Sequence, residues 1–458
     1  MALNIVIMAA GKGTRMKSAL PKVLHRLAGT SLLQHVLNAS AALAAARTVV
    51  ITGHGAEAVE AAVAGSGAAF VRQMPQRGTG HAVQQAVPML DDVDDVDGAN
   101  AITLILNGDV PLIRADTARA LIQACGGDKL ALLTIELAEA TGYGRIVRDG
   151  SSVQAIVEHK DASPAQRAIR EVYTGIMAAP TALLKRWVMA LRNDNAQQEF
   201  YLTDIVAMAV ADGVAVVAAT ASSETEVLGV NSPMQLADLE RRYQRLQADT
   251  LMEAGVRLAD PARLDVRGSL TCGSDVEIDI NCVFEGDVQL GDGVRVGANC
   301  VIRDARIAAG AVIHPYTHIE GATVGARALI GPYARLRPGA VLGDEVHIGN
   351  FVEVKNSTLA KGSKANHLAY LGDATVGERV NFGAGSITAN YDGANKHRTT
   401  IGNDVHVGSN CVLIAPITLG DGATIGGGST LAKNAPADQL TVARARQISL
   451  TGWTRPKK

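Results

Sequence analysis

Aromatic side chains are scarce in this chain: Phe, Trp and Tyr together make up 3% of its 458 residues. A core built mostly from Ala, Val, Ile, Leu and Gly suits thin, repetitive layers better than one large interlocking core. Net charge is scarce too. Its 43 basic and 45 acidic residues leave a formal charge of −2, which offers no polyanion-binding surface. The five cysteines (Cys125, Cys272, Cys282, Cys300, Cys411) contain no CxxC pair and no disulfide framework. They read as small buried hydrophobes in a reducing cytoplasm rather than as metal or redox ligands. No run of about 18 apolar residues is present to span a membrane. The opening MALNIVIMAAGKGTRM is a strand entering a glycine loop and lacks the basic and apolar regions of a signal peptide. A chain of this length is expected to form two or three domains.

What is abundant is a repeat. From Val266 an aliphatic or small residue returns every six positions, through Cys272, Ile278, Phe284, Leu290, Val296 and Ile302. Five-residue steps reset it before Ile307, Val324, Leu359 and Val376, and the last regular anchor of the run is Phe382. A second small or β-branched residue follows four positions later, as at Ala340, Val346, Val352, Ser363, Ala369 and Thr375. Such a hexad is one short strand plus a turn. Three hexads make a triangular coil of about 18 residues that stacks on the next at roughly 4.8 Å, a parallel β-helix. The pattern breaks once: Ala389–Thr400 carries about seven surplus residues by the coil arithmetic. Regular coils then return at Val407, Leu413, Leu419, Ile425 and Leu431.

Between the halves, Ser232 is a good N-cap and Pro233 a good first helical residue. Leu236, Leu239, Tyr243 and Leu246 then form one helical stripe ending before Gly255. The expected organisation is a front domain over 1–233, a helical linker over 234–254 and a β-helix over 255–458.

The front half alternates strand-like runs (Asn4–Met8, Thr48–Thr52, Ala101–Leu106, Leu130–Ile135) with helical stretches. This predicts an α/β sheet covered on both faces, with ligands at the carboxyl ends of its strands. There stands Met8-Ala9-Ala10-Gly11-Lys12-Gly13-Thr14-Arg15-Met16, followed by Pro21-Lys22. Gly11 and Gly13 can wrap a phosphate with backbone amides, and Arg15 and Lys22 supply cations. The spacing is neither that of a P-loop nor of a dinucleotide fingerprint. In the back half the register turns Ala365 and Ala369 inward, so His367 points out. Each feature also has a plain structural reading: a tight turn for GxG, a turn residue for Asp109, a surface histidine for His367, a tolerated insertion for 389–400. The aspartate-rich Asp91–Asp97 segment reads as a solvated loop.

The glycine loop with Arg-Met and Pro-Lys resembles the sugar-nucleotide pyrophosphorylases. So do Gln73 with Gly78-Thr79-Gly80-His81, Asn107-Gly108-Asp109, Gly142-Tyr143-Gly144-Arg145, Glu158 and Gly229-Val230-Asn231. Taken with the hexapeptide repeat, the whole chain resembles the family of bacterial bifunctional N-acetylglucosamine-1-phosphate uridylyltransferases and glucosamine-1-phosphate acetyltransferases. That resemblance implies a Rossmann-like mixed sheet joined by a helix to a left-handed β-helix, the hand being implied by the family alone. It assigns Arg15 and Lys22 to catalysis on the phosphates. The UDP-sugar would meet Met8, Ala9, Ala10, Gly11, Lys22, Gln73, Gly78, Thr79, Asn107, Gly108, Asp109, Gly144, Glu158 and Asn231. Asp109 and Asn231 would hold Mg²⁺. In the back half it makes His367 the general base. Arg337, Lys355, Tyr370 and Asn381 would hold glucosamine 1-phosphate, and Ala384, Asn390, Tyr391, Ser409, Gly427 and Arg444 would hold acetyl-CoA, with Lys396 assisting. A cytoplasmic homotrimer feeding peptidoglycan and lipopolysaccharide precursors is further implied. Tyr173 departs from a frequent Asn, which puts one sugar contact in doubt; Asn107 and Gly427 are milder departures. Two alternatives stay open on the residues: a single-activity pyrophosphorylase with a β-helix used for assembly, and a non-enzymatic β-helix scaffold.

Overall fold

The computed structural model describes residues 2–90 and 101–456, and the Asp91–Asp97 segment lies outside them. Contacts divide the chain into two units, 1–242 and 243–458.

In the first unit, β1 (Leu3–Met8), β2 (Arg47–Thr52), β3 (Ala69–Arg72), β4 (Ile102–Asn107), β5 (Leu130–Glu136), β8 (Glu171–Pro180) and β9 (Val216–Thr220) form one mixed sheet. The order is β9-β5-β8-β4-β1-β2-β3, and β8 runs antiparallel to both of its neighbours. A hairpin of β6 (Arg145–Asp149) and β7 (Ser152–Val157) hangs from β8. Apolar strands of this kind are buried on both faces because helices cover both. Alternate residues of β1 therefore feed two separate cores, Ile5 and Ile7 on one side and Val6 on the other. Register sets Met8 beside Asn107, so the glycine loop and the Asn107-Gly108-Asp109 turn leave the sheet side by side.

The anticipated linker is a helix over Pro233–Glu253. Ser232 caps it, accepting from Gln235 N at 3.3 Å, and Gly255 at φ 95° ends it. Of the expected stripe, Leu239 is buried while Leu246 is half exposed.

The second unit is the parallel β-helix. Successive coils pair at offsets of 17 or 18 residues, as in Leu264↔Cys282 and His347↔Lys364. The anchors from Val266 to Phe382 are buried, except that Cys272 is half-buried near one end. One inward position needs correcting. Thr375 is exposed and Ala374 is buried, because a five-residue side keeps its second inward residue two places before the next anchor. Ser357 is buried by the same rule. Hydroxyls that face inward are satisfied across coils: Ser363 Oγ donates to Gly377 O at 2.6 Å and Ser386 Oγ to Gly408 O at 2.8 Å.

Each corner needs a left-handed backbone. One corner passes through Asn281, Asn299, Tyr316, Tyr333, Phe351 and Leu368, all with φ between 51° and 62°. Asn accepts that conformation readily, whereas the bulky members are strained there. Stacking offsets some of the strain, with ring centroids of Tyr316 and Tyr333 4.9 Å apart and those of Tyr333 and Phe351 5.3 Å apart. The surplus loop stands where it was anticipated. Ala374 pairs with Thr399, a step of 25 residues, and Thr399 with Ile417, a step of 18. The seven extra residues form a tight turn in which Asp392 accepts from Ala394 N, Asn395 N and His397 Nε2 at 2.7–2.8 Å.

Candidate active sites

A cleft of about 300 Å³ opens at the carboxyl ends of the first sheet. Its wall brings together ten of the anticipated residues, from Met8–Gly11 and Lys22 through Gln73, Gly78 and Thr79 to Asn107 and Asp109. Local structure explains the placement. Gly13, at φ 59°, lies so close to Lys22 that an added Cβ would stand 2.6 Å from the lysine's own Cβ. Glycine there lets Lys22 fold back over the loop. Gly78 begins the helix Thr79–Ala86 at φ 102°, where any side chain would strike Phe200 O. Gln73 Nε2 donates to Gly78 O at 2.9 Å, tying these two parts of the cleft wall to each other.

Lys22 Nζ donates to Asp109 Oδ2 at 2.5 Å and to Asn231 Oδ1 at 3.1 Å. Val230 N, bonded to Asp109 O at 2.9 Å, draws the Gly229–Asn231 segment to that point. Two hard oxygens thus converge on one cation. No group of three or more His, Cys, Asp or Glu that could hold a metal occurs among the described residues. A carboxylate plus an amide oxygen suits Mg²⁺, which commonly takes few protein ligands and completes its shell with phosphate and water. Arg15 stands exposed in the turn Thr14–Met16, off the cleft wall. Sequence reasoning missed Gln76, whose Nε2 donates to Ala10 O at 2.9 Å, and Glu199; both line the cleft.

A second group lies around Glu158. Gly144 leaves room beside it, with its open Cβ position 3.8 Å from both carboxylate oxygens. Thr203 Oγ1 donates to Glu158 Oε1 at 3.1 Å. Burial raises the Glu158 pKa, and the Thr203 hydrogen bond opposes that shift only in part. Tyr173 is buried nearby, its hydroxyl has no hydrogen-bond partner, and burial followed by the Glu158 charge pushes its pKa well up.

In the second unit, one side of the coils carries Arg337, Lys355 and Tyr370. Arg337 Nη1 bonds Glu353 Oε1 at 2.8 Å, and Glu353 pairs in register with Tyr370. At the far edge, Asp373 accepts from Asn356 Nδ2 and from Asn390 Nδ2, each at 2.5 Å. Burial raises the Asp373 pKa, but those two amides, with Lys355 and Lys396 beyond them, bring it below its ordinary value. Lys396, carried by the surplus loop, lies against Lys355 and lowers the Lys355 pKa, so two ammonium groups face one place. Such a pair is an anion site by charge.

His367 is exposed and ends the strand Lys364–His367 of the preceding side, just before the corner at Leu368 that leads into the Tyr370 side. Its Nδ1 is 2.8 Å from Asn350 Oδ1. Cross-coil bonds from Gly385 N to His367 O, Asn410 N to Ala384 O and Gly428 N to Ser409 O stack His367, Ala384, Ser409 and Gly427 in one column. Arg444 Nη1 donates to Gly427 O at 2.7 Å at its end. Four of the anticipated acetyl-CoA contacts are thus in line with His367, while Asn390 and exposed Tyr391 lie across the side at the loop. Asn381 is not brought in. It occupies the preceding side, in the row of Lys364 and His406. Asn350, Glu353, Asn356 and Asp373 escaped sequence reading because each acts on a residue one coil away.

Known family models match both halves of the chain. A MobA-like NTP transferase domain matches residues 5–254, a GMPPB C-terminal domain matches 266–358, and six bacterial transferase hexapeptide repeats match 398–433. The second unit is accordingly a left-handed β-helix of hexapeptide repeats. The chain is 75% identical to bifunctional protein GlmU of Methylibium petroleiphilum, over 100% of this chain and 99% of that one. It is 67% identical to bifunctional protein GlmU of Albidiferax ferrireducens over the full length of both chains, and 67% identical to that of Polaromonas naphthalenivorans over 100% and 98%. With full-length identity of this order and both kinds of domain present, the chain belongs to the bifunctional GlmU family.

Proposed function

We propose that the chain makes UDP-N-acetylglucosamine in two steps: acetyl transfer from acetyl-CoA to glucosamine 1-phosphate, then uridylyl transfer from UTP with release of pyrophosphate. The observation that carries this reading is that each unit holds its own convergent set of side chains, Lys22–Asp109–Asn231 in one and the His367 column in the other. The organisation that goes with it is a uridylyltransferase domain over 1–233, a linker over 234–254 and an acetyltransferase domain over 255–458.

In the first unit, Gln73 with Gly78 and Thr79 holds uracil, and the amides of the Gly11 loop face the phosphates. Lys22 leaves Asp109 to bind phosphate oxygen, joined by Arg15 as the loop closes. Mg²⁺, held by Asp109 and Asn231, supplies charge neutralisation when bound. Asn107, Gly108, Gly144 and Glu158 position the sugar so that its phosphate oxygen meets the α-phosphorus in line.

In the second unit, Arg337, Lys355 and Lys396 take the phosphate of glucosamine 1-phosphate and Tyr370 lies under the ring. His367, just before the corner that leads into this side, receives the proton of the amine as it attacks the thioester. Acetyl-CoA runs along the column Ala384, Ser409, Gly427 to Arg444, with Asn390 and Tyr391 at the loop. Asn381 reaches the site only from another copy, which favours a homotrimer with shared sites. No described helix is long and apolar enough to cross a membrane, in keeping with cytoplasmic work on soluble substrates that feeds peptidoglycan and lipopolysaccharide precursors.

The test supplies glucosamine 1-phosphate, acetyl-CoA, UTP and Mg²⁺ and measures free thiol and pyrophosphate separately. Both products should appear, thiol first. Either product alone would defeat the two-step reading.

A further inference from the structure

Asn350 and His367 occupy equivalent places on adjacent coils. Each is the last residue before a left-handed corner residue, Phe351 at φ 59° and Leu368 at φ 51°, and the two are paired in register. Stacked strands stand roughly 4.8 Å apart, so two side chains leaving the same corner lie alongside one another. The backbone tightens the approach: Gly349 sits where an added Cβ would be 2.0 Å from Asn366 O, and Leu368 N bonds Asn350 O at 3.1 Å. The contact is therefore built by the fold and not by chance packing of two surface side chains.

We infer that Asn350 is a positioning residue for acetyl transfer, its carboxamide oxygen holding the proton on His367 Nδ1 so that Nε2 keeps the free lone pair. The inference rests on the proposed role of His367 as base. A neutral imidazole has one donor and one acceptor nitrogen, and the partner of the first decides which is the second. Nδ1 faces the Asn350 oxygen at 2.8 Å, and Nε2 has no hydrogen-bond partner in the described structure. In the reaction the sugar amine forms its bond to the thioester carbonyl carbon and passes its proton to Nε2. The carbon–sulfur bond then breaks, and the departing thiolate takes that proton from the imidazolium. A carboxamide suits this cycle better than a carboxylate, since it orients the ring without an anion that would keep it protonated. The titratable group that feels the charge of this ring is His347, on the strand of Asn350, which also faces Lys364 and His314. The next strand, Asn381–Phe382, contributes none.

The full-length protein labelled with ¹⁵N-histidine distinguishes the two tautomers by two-bond ¹H–¹⁵N correlation. His367, assigned by its loss in His367→Ala, should show protonated Nδ1 and unprotonated Nε2. Asn350→Ala should move the proton to Nε2 and lower kcat for thiol release on the order of 10- to 100-fold with little change in KM. Asn350→Asp should keep the Nδ1 proton and shift the acid limb of the kcat–pH profile upward. Uridylyl transfer should stay unchanged in both variants, which reports on folding. An Nε2–H tautomer in the unmodified protein overturns the inference. So does an Asn350→Ala protein with full kcat and an unshifted profile while His367→Ala is inactive. If His367→Ala itself keeps thiol release, the base assignment and this inference fall together.

Discussion

Glu158 is the residue whose surroundings make the clearest statement about pH. Its folded pKa is raised above 4.5, chiefly by burial, so the folded state holds a proton that the unfolded chain has released. Stability from this group is fully present at low pH and declines as pH rises from about 4.5 through the folded value. Glu158→Gln should therefore gain in unfolding free energy relative to the parent across that window and match its slope below it, as urea titrations at a series of pH values would show. Tyr173→Phe tests the adjacent orphan hydroxyl. Removing a buried, unpartnered polar group should leave stability equal or raise it by up to about 1 kcal/mol. If KM for N-acetylglucosamine 1-phosphate also rises, the hydroxyl is a sugar contact in place of the Asn it departs from. His367→Ala should cut thiol release by roughly 10²–10⁴, the usual contribution of a general base, and spare uridylylation of N-acetylglucosamine 1-phosphate. The places of Gly11, Gly78 and Asp109 on the cleft wall and the outward aspect of His367 were legible in the sequence, from the strand pattern and the hexad register; the roles given to them come from the family resemblance. Asn350, Gln76, Glu199 and Asp373 were not, since their meaning comes from a neighbour that is distant along the chain.

Elements were more legible than residues. A six-residue period leaves no other solution than a strand, a corner and the next strand, and the anchors it marks form the core of the second unit. The one slip, Thr375 for Ala374, arose at a five-residue side, where counting forward from an anchor and counting back from the next disagree. Counting back is right because the corner is fixed to the coming strand. The surplus loop was legible as length but not as structure; its internal turn and the Asn390–Asp373 bond are tertiary. Deleting Tyr391–His397 restores an 18-residue coil by the Thr399↔Ile417 precedent. The β-sheet circular dichroism and pyrophosphate release should persist, whereas thiol release should fall at least tenfold through the loss of Tyr391 and Lys396.

For the molecule as a whole, the separation of cores matters most. The two cores of the first unit lie within residues 5–227, and that of the second within 248–435. Among the described residues each buried cluster belongs to one unit, so unfolding should not be a single cooperative event. Trp187, fully buried in the first unit, reports its unfolding by fluorescence, while backbone dichroism is dominated by the strands of both. The two signals should give non-coincident urea midpoints, and pyrophosphate and thiol release should fail at different denaturant concentrations. One coincident transition would contradict this. The regular stacking of the coils has another consequence. The β-helix works as a ruler graduated in coils. Removing residues 283–300, one graduation by the Val283↔Val301 register, would shift everything beyond them by about 4.8 Å along the axis and leave each corner as it was. The height of the His367 corner above the first coil of the β-helix is thus set by coil number alone, independently of the chemistry performed there, and can be altered in whole steps without redesigning either.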